Sequence, residues 1–193
     1  MASLLAVCVV QTLHDDAGSV GTTAINKRAI SGPVRVRPLG LNADVQADRK
    51  HHGGLDKAVY VYAQEDADYW VDQLGRPLEP GWFGENLRVV GLDVSGALIG
   101  DRWQFGSGEN SVTLEVTMPR EPCATFARWV VRSGGEPADA RGWVKRFTAA
   151  GRPGAYARVI RPGMISAGDA IIRVGSAIPG AESIAHVFSG IAA

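Results

Sequence analysis

One cysteine near the middle of the chain has the surroundings of a reactive thiol. Cys123 follows Arg120 and Pro122, and it precedes a segment in which Phe126 and Val130 have the spacing of a helix face. Proline suits the first turn of a helix, so the sequence predicts a helix that begins just after Pro122. A helix start and a nearby arginine both favour a thiolate, which acts as a nucleophile or as a ligand of a soft metal. The alternative is a small buried hydrophobe.

The other cysteine has the opposite surroundings. Cys8 lies in an apolar run over residues 4–10, which is typical of a buried strand. Sequence alone leaves a disulfide open, but two cysteines in 193 residues do not form a disulfide scaffold. We therefore expect Cys8 to pack in the core and Cys123 to be accessible.

A further loop could hold an anion. In it, His51, His52 and two glycines precede Asp56 and Lys57, just before a predicted strand. Glycines let backbone N–H groups approach an oxyanion and Lys57 adds charge, although a simple polar turn would look the same. Two adjacent histidines are not a zinc-binding spacing. Another loop, residues 81–87, places two polar side chains, Glu85 and Asn86, before another strand and is a weak signal alone.

The composition is that of an ordinary globular protein. The chain is 46% hydrophobic and 21% charged, which predicts one domain over residues 1–193. Twenty basic and twenty acidic residues cancel, so we expect no nucleic-acid partner. The N-terminus lacks a basic leader and no apolar run could span a bilayer, so we expect a cytoplasmic protein with no membrane partner.

Short alternating segments between glycines and prolines predict a mainly β fold. The predicted strands cover residues 4–10, 33–41, 58–62, 86–90, 102–105, 111–117, 156–160 and 170–174. Apolar residues at helical spacing predict helices over 65–74 and 139–150, with Asp139 as the cap of the second. Gly75 and Gly151 are the predicted ends of these two helices. The same spacing predicts Trp70 and Trp143 in the core. The pattern is typical of a β-barrel with a few peripheral helices.

Taken in order, these segments resemble the MOSC family, named for the C-terminal domain of molybdenum cofactor sulfurase. The likeness is greatest to its small stand-alone bacterial members. The phrases that carry it are residues 24–27, 39–48, 52–60, 83–87, 99–101 and 119–123, with a later stretch over 154–169. Each phrase alone is weak, but the ordered set is specific and covers nearly the whole chain.

The resemblance implies a closed β-barrel with a pocket for a molybdenum cofactor of the molybdopterin type, and at family level an association with pyridoxal phosphate. It implies Cys123 as the catalytic residue, either the molybdenum ligand or a sulfur carrier. The other candidates are cations for the pterin phosphate and polar residues that would line the pocket. They are Lys27, Arg28, Asp44, His52, Asp56, Lys57, Asn86 and Arg120.

The sequence departs from the family pattern at one loop. Ala43 and Val45 flank Asp44 where the pattern has glycines. Glycine often serves backbone angles that other residues resist. We therefore expect a loop of altered shape, which weakens the case for Asp44 as a cofactor contact.

Relatives of this type imply reduction of small N-hydroxylated compounds such as hydroxylaminopurine. The chain has neither an iron–sulfur pattern nor a dinucleotide-binding glycine fingerprint, so electrons would come from a separate reductase. Two alternatives stay open: a sulfur-carrier or cofactor-handling protein with a persulfide on Cys123, and a MOSC-fold enzyme of a biosynthetic pathway without molybdenum. Cys–His catalysis with His52 is a third. Substrate, electron donor and oligomeric state are not determined by the sequence.

Overall fold

The computed structural model describes residues 1–175 and 179–191; residues 176–178 and 192–193 of the predicted single domain lie outside the described part. The described strands are β1 (Ser3–Val10), β2 (His14–Asp15), β3 (Thr22–Thr23), β4 (Lys27–Ile30), β5 (Val34–Arg37), β6 (Gly40–Leu41), β7 (Val59–Ala63), β8 (Leu87–Val90), β9 (Arg102–Phe105), β10 (Val112–Pro119), β11 (Ala155–Arg161), β12 (Gly163–Ile165) and β13 (Ile171–Gly175). The described helices are α1 (Gln64–Leu74), α2 (Ala124–Arg132), α3 (Pro137–Ala140), α4 (Trp143–Ala150) and α5 (Ile184–Ile191). The predicted mainly β fold with few helices is confirmed.

Most strands belong to one mixed sheet. Its order is β13-β9-β10-β11-β7-β8-β1-β4, and β7 and β8 are its parallel pair. A smaller sheet has the order β12-β5-β6, and β2 pairs with β3. Cys8 lies inside β1 and is fully buried, as predicted from its apolar run.

The two ends of the large sheet approach each other without forming a continuous ring. Its order ends at two different strands, β13 and β4, among the described residues. The first residues of β1 nevertheless contact the turn before β13, because Leu4 N–H donates to Asp169 O at 2.9 Å and Gly168 N–H donates to Leu4 O at 2.8 Å. The strands thus curve towards closure, while the predicted closed barrel is not seen as a complete set of paired strands.

Two hydrophobic clusters fill the interior. An aliphatic cluster lies within the curved sheet, built from side chains such as Val7, Val61 and Leu114. An aromatic cluster lies between the sheet and the helices, and it includes Trp70 and Trp143, both buried as predicted. This second cluster supports the helices that border the cavity described below.

Helices α1 and α2 follow the predictions, the predicted helix over 139–150 differs, and α5 was not predicted. Gly75 and Gly151 end α1 and α4 in the left-handed conformation, as the stop signals predicted. The predicted helix over 139–150 is instead two helices, because Gly142 at φ +66° separates α3 from α4. The prediction of Asp139 as the cap of the second helix is wrong: its carboxylate accepts the Glu136 N–H in the first turn of α3. No described helix is long and apolar enough to cross a bilayer.

Candidate functional site

A cavity of about 780 Å³ lies where several strands end and their loops meet. Each wall segment borders a regular element: Lys27 begins β4, Asn86 precedes β8, Arg120 follows β10, and Cys123 precedes α2. The loop before β7 closes another side with His52. Chemically distinct side chains therefore meet in one place although they are far apart in sequence.

Seven of the nine predicted site residues line this cavity. They are Lys27, Asp44, His52, Lys57, Asn86, Arg120 and Cys123. The structure does not bring the other two to it. Arg28 is exposed on β4, and the exposed Asp56 carboxylate pairs with Arg158 at 3.3 Å. The cofactor-binding roles assigned to Arg28 and Asp56 therefore have no support from their positions.

The thiol of Cys123 lies at the start of α2, where the sequence predicts a helix to begin. Cys123 is the N-cap residue, with extended backbone angles, and its carbonyl accepts the N–H of Phe126 at 3.0 Å. It is partly exposed, whereas Cys8 is fully buried and its burial raises the pKa of the Cys8 thiol well above its ordinary value. The two cysteines thus differ in accessibility as expected.

Asp44 is the centre of a hydrogen-bonded group that we call the Asp44 cluster: Lys27, Asp44 and Asn86. The Lys27 ammonium contacts Asp44 Oδ2, and the side chains are only 8% and 9% exposed. Asn86 Nδ2 donates to the same oxygen at 2.8 Å, and the backbone N–H of Val10 donates to Oδ1 at 2.8 Å. Asp44 therefore neutralises Lys27 and ties the loop after β6 to β1 and β8.

The loop around Asp44 keeps a glycine-like backbone without a glycine. Ala43 has φ +69° and is the one non-glycine residue with positive φ among residues 1–175 and 179–191. This left-handed conformation costs an L-residue roughly 1–2 kcal/mol. Asp44 lies in the cavity wall, and Ala43, which stands where the family pattern has a glycine, carries the backbone strain.

The turn before β8 directs two neighbouring polar side chains to different surroundings. Glu85 points into the protein, where its carboxylate accepts the N–H groups of Gly81 and Phe83 and pairs with buried Arg88 at 2.5 Å. Asn86 joins the cavity wall instead. Gly81 allows this arrangement because a Cβ there would lie 2.5 Å from the Lys27 carbonyl oxygen. Of the two candidates that the loop offers, only Asn86 borders the cavity.

Arg120 is buried in the cavity wall and has no carboxylate partner among the described residues. It is 4% exposed, and its Nη1 has no hydrogen-bond partner among the described residues. Its guanidinium carbon lies 4.2 Å from the centre of the Phe126 ring and 6.0 Å from that of Tyr60. Ring faces attract a cation but do not satisfy its N–H donors. The arrangement suits an anionic or hydrogen-bond-accepting ligand.

His52 and Tyr156 complete what we call the Arg120 cluster: His52, Arg120 and Tyr156. His52 Nδ1 lies 3.0 Å from the Tyr156 hydroxyl. Burial and the charge of Arg120 lower the pKa of His52 to about 4, so the imidazole is neutral at neutral pH. Burial raises the pKa of Tyr156 to about 12, so the phenol keeps its proton. With His52 neutral and Tyr156 protonated, the charge of the cluster is the positive charge of Arg120.

Sequence reasoning missed the contact that holds the loop after β2 against α2. Asp16 accepts two hydrogen bonds from Arg128, at 2.8 and 2.5 Å, and a third from the Thr125 hydroxyl at 2.8 Å. These bonds hold the pKa of Asp16 well below its ordinary value. All three residues line the cavity on the side of Cys123. No local pattern links Asp16 to residues more than a hundred positions away.

The cavity contains a single thiol rather than a preformed metal site. In the described part of the chain, no group of three or more His, Cys, Asp and Glu side chains is arranged to hold a metal ion. Tyr60 and Tyr156 add aromatic wall, and Lys57 borders the cavity with its ammonium 2.5 Å from the His51 carbonyl oxygen. The arrangement offers one soft donor, ring faces, and two cations, Lys57 and Arg120, that have no carboxylate partner in the described part of the chain.

Comparison with known proteins gives consistent relationships. The family described as "MOSC domain" matches residues 48–172. YflK of Bacillus subtilis is 35% identical over 158 residues, covering 82% of this chain and 66% of that protein. YiiM of Escherichia coli is 36% identical over 105 residues, covering 52% of this chain and 45% of YiiM. A protein named "Reductase" from Gibberella moniliformis is 33% identical over 158 residues, covering 78% of this chain and 25% of the reductase.

A solved structure supports the same relationship. The crystal structure of YiiM from Geobacillus stearothermophilus matches with a TM-score of 0.74 at 26% identity, covering 97% of this chain and 82% of that one. The chain spans 66% or less of the length of each of the three sequence relatives. The family match covers more than half of the chain and includes Cys123, Arg120 and His52. The chain belongs to the MOSC domain family.

Proposed function

We propose that the chain binds a molybdenum cofactor of the molybdopterin type in this cavity and reduces small N-hydroxylated compounds, with Cys123 as the protein ligand of the metal. One observation carries the proposal: an accessible thiol and a buried arginine, Arg120, which has no carboxylate partner among the described residues, lie in the wall of the same cavity. The reductase name of the Gibberella relative supports oxidoreductase chemistry, although the chain matches only a quarter of that protein.

The side chains suit such a cofactor chemically. Its phosphate requires cationic and N–H donors, and Arg120 and Lys57 have no carboxylate partner among the described residues. The chain has two cysteines and Cys8 is buried, so Cys123 is the thiol that the cavity offers. One thiol does not hold a metal ion by itself, so a metal bound there would bring its other ligands with it.

When bound, the cofactor would supply a redox-active metal centre able to remove oxygen from an N–OH group. The reaction consumes two electrons and two protons and converts R–NHOH into R–NH₂ and water. Cys123 would hold the metal, Arg120 and Lys57 would hold anionic groups, and the cavity walls would restrict water. A separate reductase would deliver the electrons. The cytoplasmic location stays a prediction.

Substitution of Cys123 tests the proposal. Parent, Cys123→Ala and Cys123→Ser are produced in a host that makes the cofactor, and both molybdenum per chain and reduction of an N-hydroxylated purine by a chemical reductant are measured. We expect near-stoichiometric metal in the parent and turnover at least about 100-fold lower in both variants, since serine is a harder donor than a thiolate. Cys8→Ala, the matched control, should keep the metal because Cys8 is outside the cavity wall.

Each contrary result has a defined meaning. Turnover by Cys123→Ala close to the parent rate would remove the ligand role. Parent protein without molybdenum but with one additional sulfur atom on Cys123, seen by mass spectrometry, would favour the sulfur carrier. Parent protein with neither, and inactive on every N-hydroxylated compound tried, would favour a MOSC-fold enzyme of a biosynthetic pathway that works without molybdenum.

A further inference from the structure

A surface beside the mouth of the cavity combines exposed apolar and basic side chains, and we propose that it docks an acidic electron-carrier protein. The proposal rests on the proposed function, because that reduction takes up two electrons from outside the chain. We call the surface the basic patch. Its members are Arg37, Leu39, Val45, Arg49 and Leu55, all exposed.

Hydrogen bonds of one glutamine hold the segments of the patch together. Gln46 Nε2 donates to the Leu39 carbonyl at 3.0 Å, and Gln46 Oε1 accepts the Gly54 N–H at 2.9 Å. The chain at Gly53 also packs tightly on Arg49, since a Cβ at Gly53 would lie 3.0 Å from the Arg49 Cα. The turn after β5 and the loop before β7 therefore form one continuous surface.

The apolar members are unusually accessible for their size. Leu39 is 60% exposed and Leu55 is 59% exposed, and Val45 lies one residue from the Gln46 that links their segments. Single exposed leucines are ordinary, but two held close together with a valine form a small apolar centre. Interfaces between proteins commonly have such a centre with a polar rim.

The rim of this centre is positively charged. Arg37, Arg49 and nearby Lys50 are exposed and form no ion pair among the described residues. Three acids lie in the same stretch of chain: Asp44 pairs with Lys27, Asp56 pairs with Arg158, and the Asp48 carboxylate accepts the backbone N–H of His51 at 3.0 Å. The chain as a whole has no net charge, so the excess at the patch is a local feature. Complementary charge steers association and selects partners of opposite sign.

The location favours an electron carrier over other acidic partners. Val45 and Lys50 line the cavity, and Val45 also belongs to the patch, so a protein seated there lies at the cavity mouth. Electron-transfer encounters use small interfaces, which suits a patch of this size. A nucleic acid would gain little from Leu39 and Leu55, because its binding depends chiefly on phosphate contacts. The structure therefore favours an acidic protein with a flavin or an iron–sulfur cluster.

A charge-reversal pair tests the docking surface by binding, without any cofactor. The probe is an acidic FMN-containing flavodoxin, titrated into cofactor-free protein at low salt and followed by calorimetry. We expect Arg37→Glu/Arg49→Glu to weaken binding by at least about tenfold. The control is Arg141→Glu/Lys145→Glu, which changes the net charge by the same amount at exposed positions in the region of α3 and α4 and should weaken binding much less. Leu39→Ser should also weaken binding.

Equal effects of the two charge reversals, no flavodoxin binding by the parent, or displacement of the flavodoxin by a short DNA duplex would overturn the docking surface.

A second experiment measures turnover of cofactor-loaded protein with two electron sources. Arg37→Glu/Arg49→Glu should lose turnover with reduced flavodoxin and keep it with reduced methyl viologen. If the loaded parent fails with both sources, the proposed function fails, and the binding arm still decides the docking surface.

Discussion

The cavity wall contains two buried cations whose surroundings differ completely. Lys27 contacts Asp44, which also accepts hydrogen bonds from Asn86 and from the backbone of Val10. Arg120 is about as buried but has no carboxylate partner among the described residues, and its Nη1 lacks any hydrogen bond. One cation has a carboxylate partner within the protein, whereas the other keeps an N–H group without an acceptor among the described residues.

This difference separates a structural role from a ligand-binding role. A buried charge with partners helps to hold a fold, because removing one partner leaves the other uncompensated. A buried charge without partners lowers stability in the empty protein and strengthens binding of a complementary ligand. The Asp44 cluster therefore shapes the cavity, and the Arg120 cluster gives it affinity for an anion.

Breaking the Asp44 cluster should produce the largest loss of stability. Asp44→Ala leaves the Lys27 ammonium and the Val10 N–H without their acceptor, and we expect a loss of about 3–5 kcal/mol in the free energy of unfolding. Urea unfolding of the cofactor-free protein measures it. Asp56→Ala is the control, because its pair with Arg158 is exposed and should contribute less than about 1 kcal/mol. Similar small losses in both variants would contradict the structural role of Asp44.

The Arg120 cluster should instead make stability depend on pH. The pKa of His52 is about 4 in the folded protein and near 6.5 when unfolded, so the unfolded chain binds more protons between these values. The contribution of neutral His52 to the free energy of unfolding is therefore fully present above about pH 6.5. It decreases by about 2–3 kcal/mol as the pH drops towards 4. Urea unfolding at several pH values should show a steeper loss for the parent than for His52→Asn. Parallel curves would contradict the prediction.

Features encoded by neighbouring residues were predictable from the sequence. The burial of Cys8, the start of α2 after Pro122 and the stops at Gly75 and Gly151 follow from short patterns of apolar residues, proline and glycine. The set of cavity residues was largely predictable too, but through resemblance to a family rather than through local physics. Spacing alone left Cys123 equally explicable as a buried hydrophobe.

Features that depend on distant contacts were not predictable. The bond between Asp16 and Arg128 joins segments 112 residues apart. The strand β4 was not predicted either, because it depends on its pairing with β1. Arg28 and Asp56 are polar neighbours of Lys27 and Lys57, and the sequence alone does not distinguish them from these lysines. In the structure, strand alternation leaves Arg28 exposed, and Asp56 pairs with Arg158 at the surface, so neither lines the cavity. That Arg120 has no carboxylate partner within the described residues follows from three-dimensional packing alone.

Replacing Arg120 should change binding far more than stability. Arg120→Met removes the charge and keeps apolar contact with Phe126, so we expect the free energy of unfolding to change by less than about 1 kcal/mol. Because the Arg120 charge helps to lower the pKa of His52, that pKa should rise in the variant, which NMR titration of the imidazole measures. Cofactor retention should fall. A large loss of stability with cofactor fully retained would place Arg120 with Lys27 as a structural cation.

The smallest expected effect concerns the strain beside Asp44. Ala43 is exposed and has φ +69°, so Ala43→Gly removes the steric cost of the left-handed conformation and loses little packing. Glycine also gives the unfolded chain more freedom, which offsets part of the gain, and we expect a net increase of up to about 1 kcal/mol in the free energy of unfolding. Ala47→Gly is the matched control, because Ala47 lies in the same loop without a positive φ and should lose stability. If both substitutions destabilise equally, the Asp44 cluster is held without strain at Ala43. If only Ala43→Gly stabilises, the contacts of Asp44 hold the loop in a conformation that alanine itself disfavours.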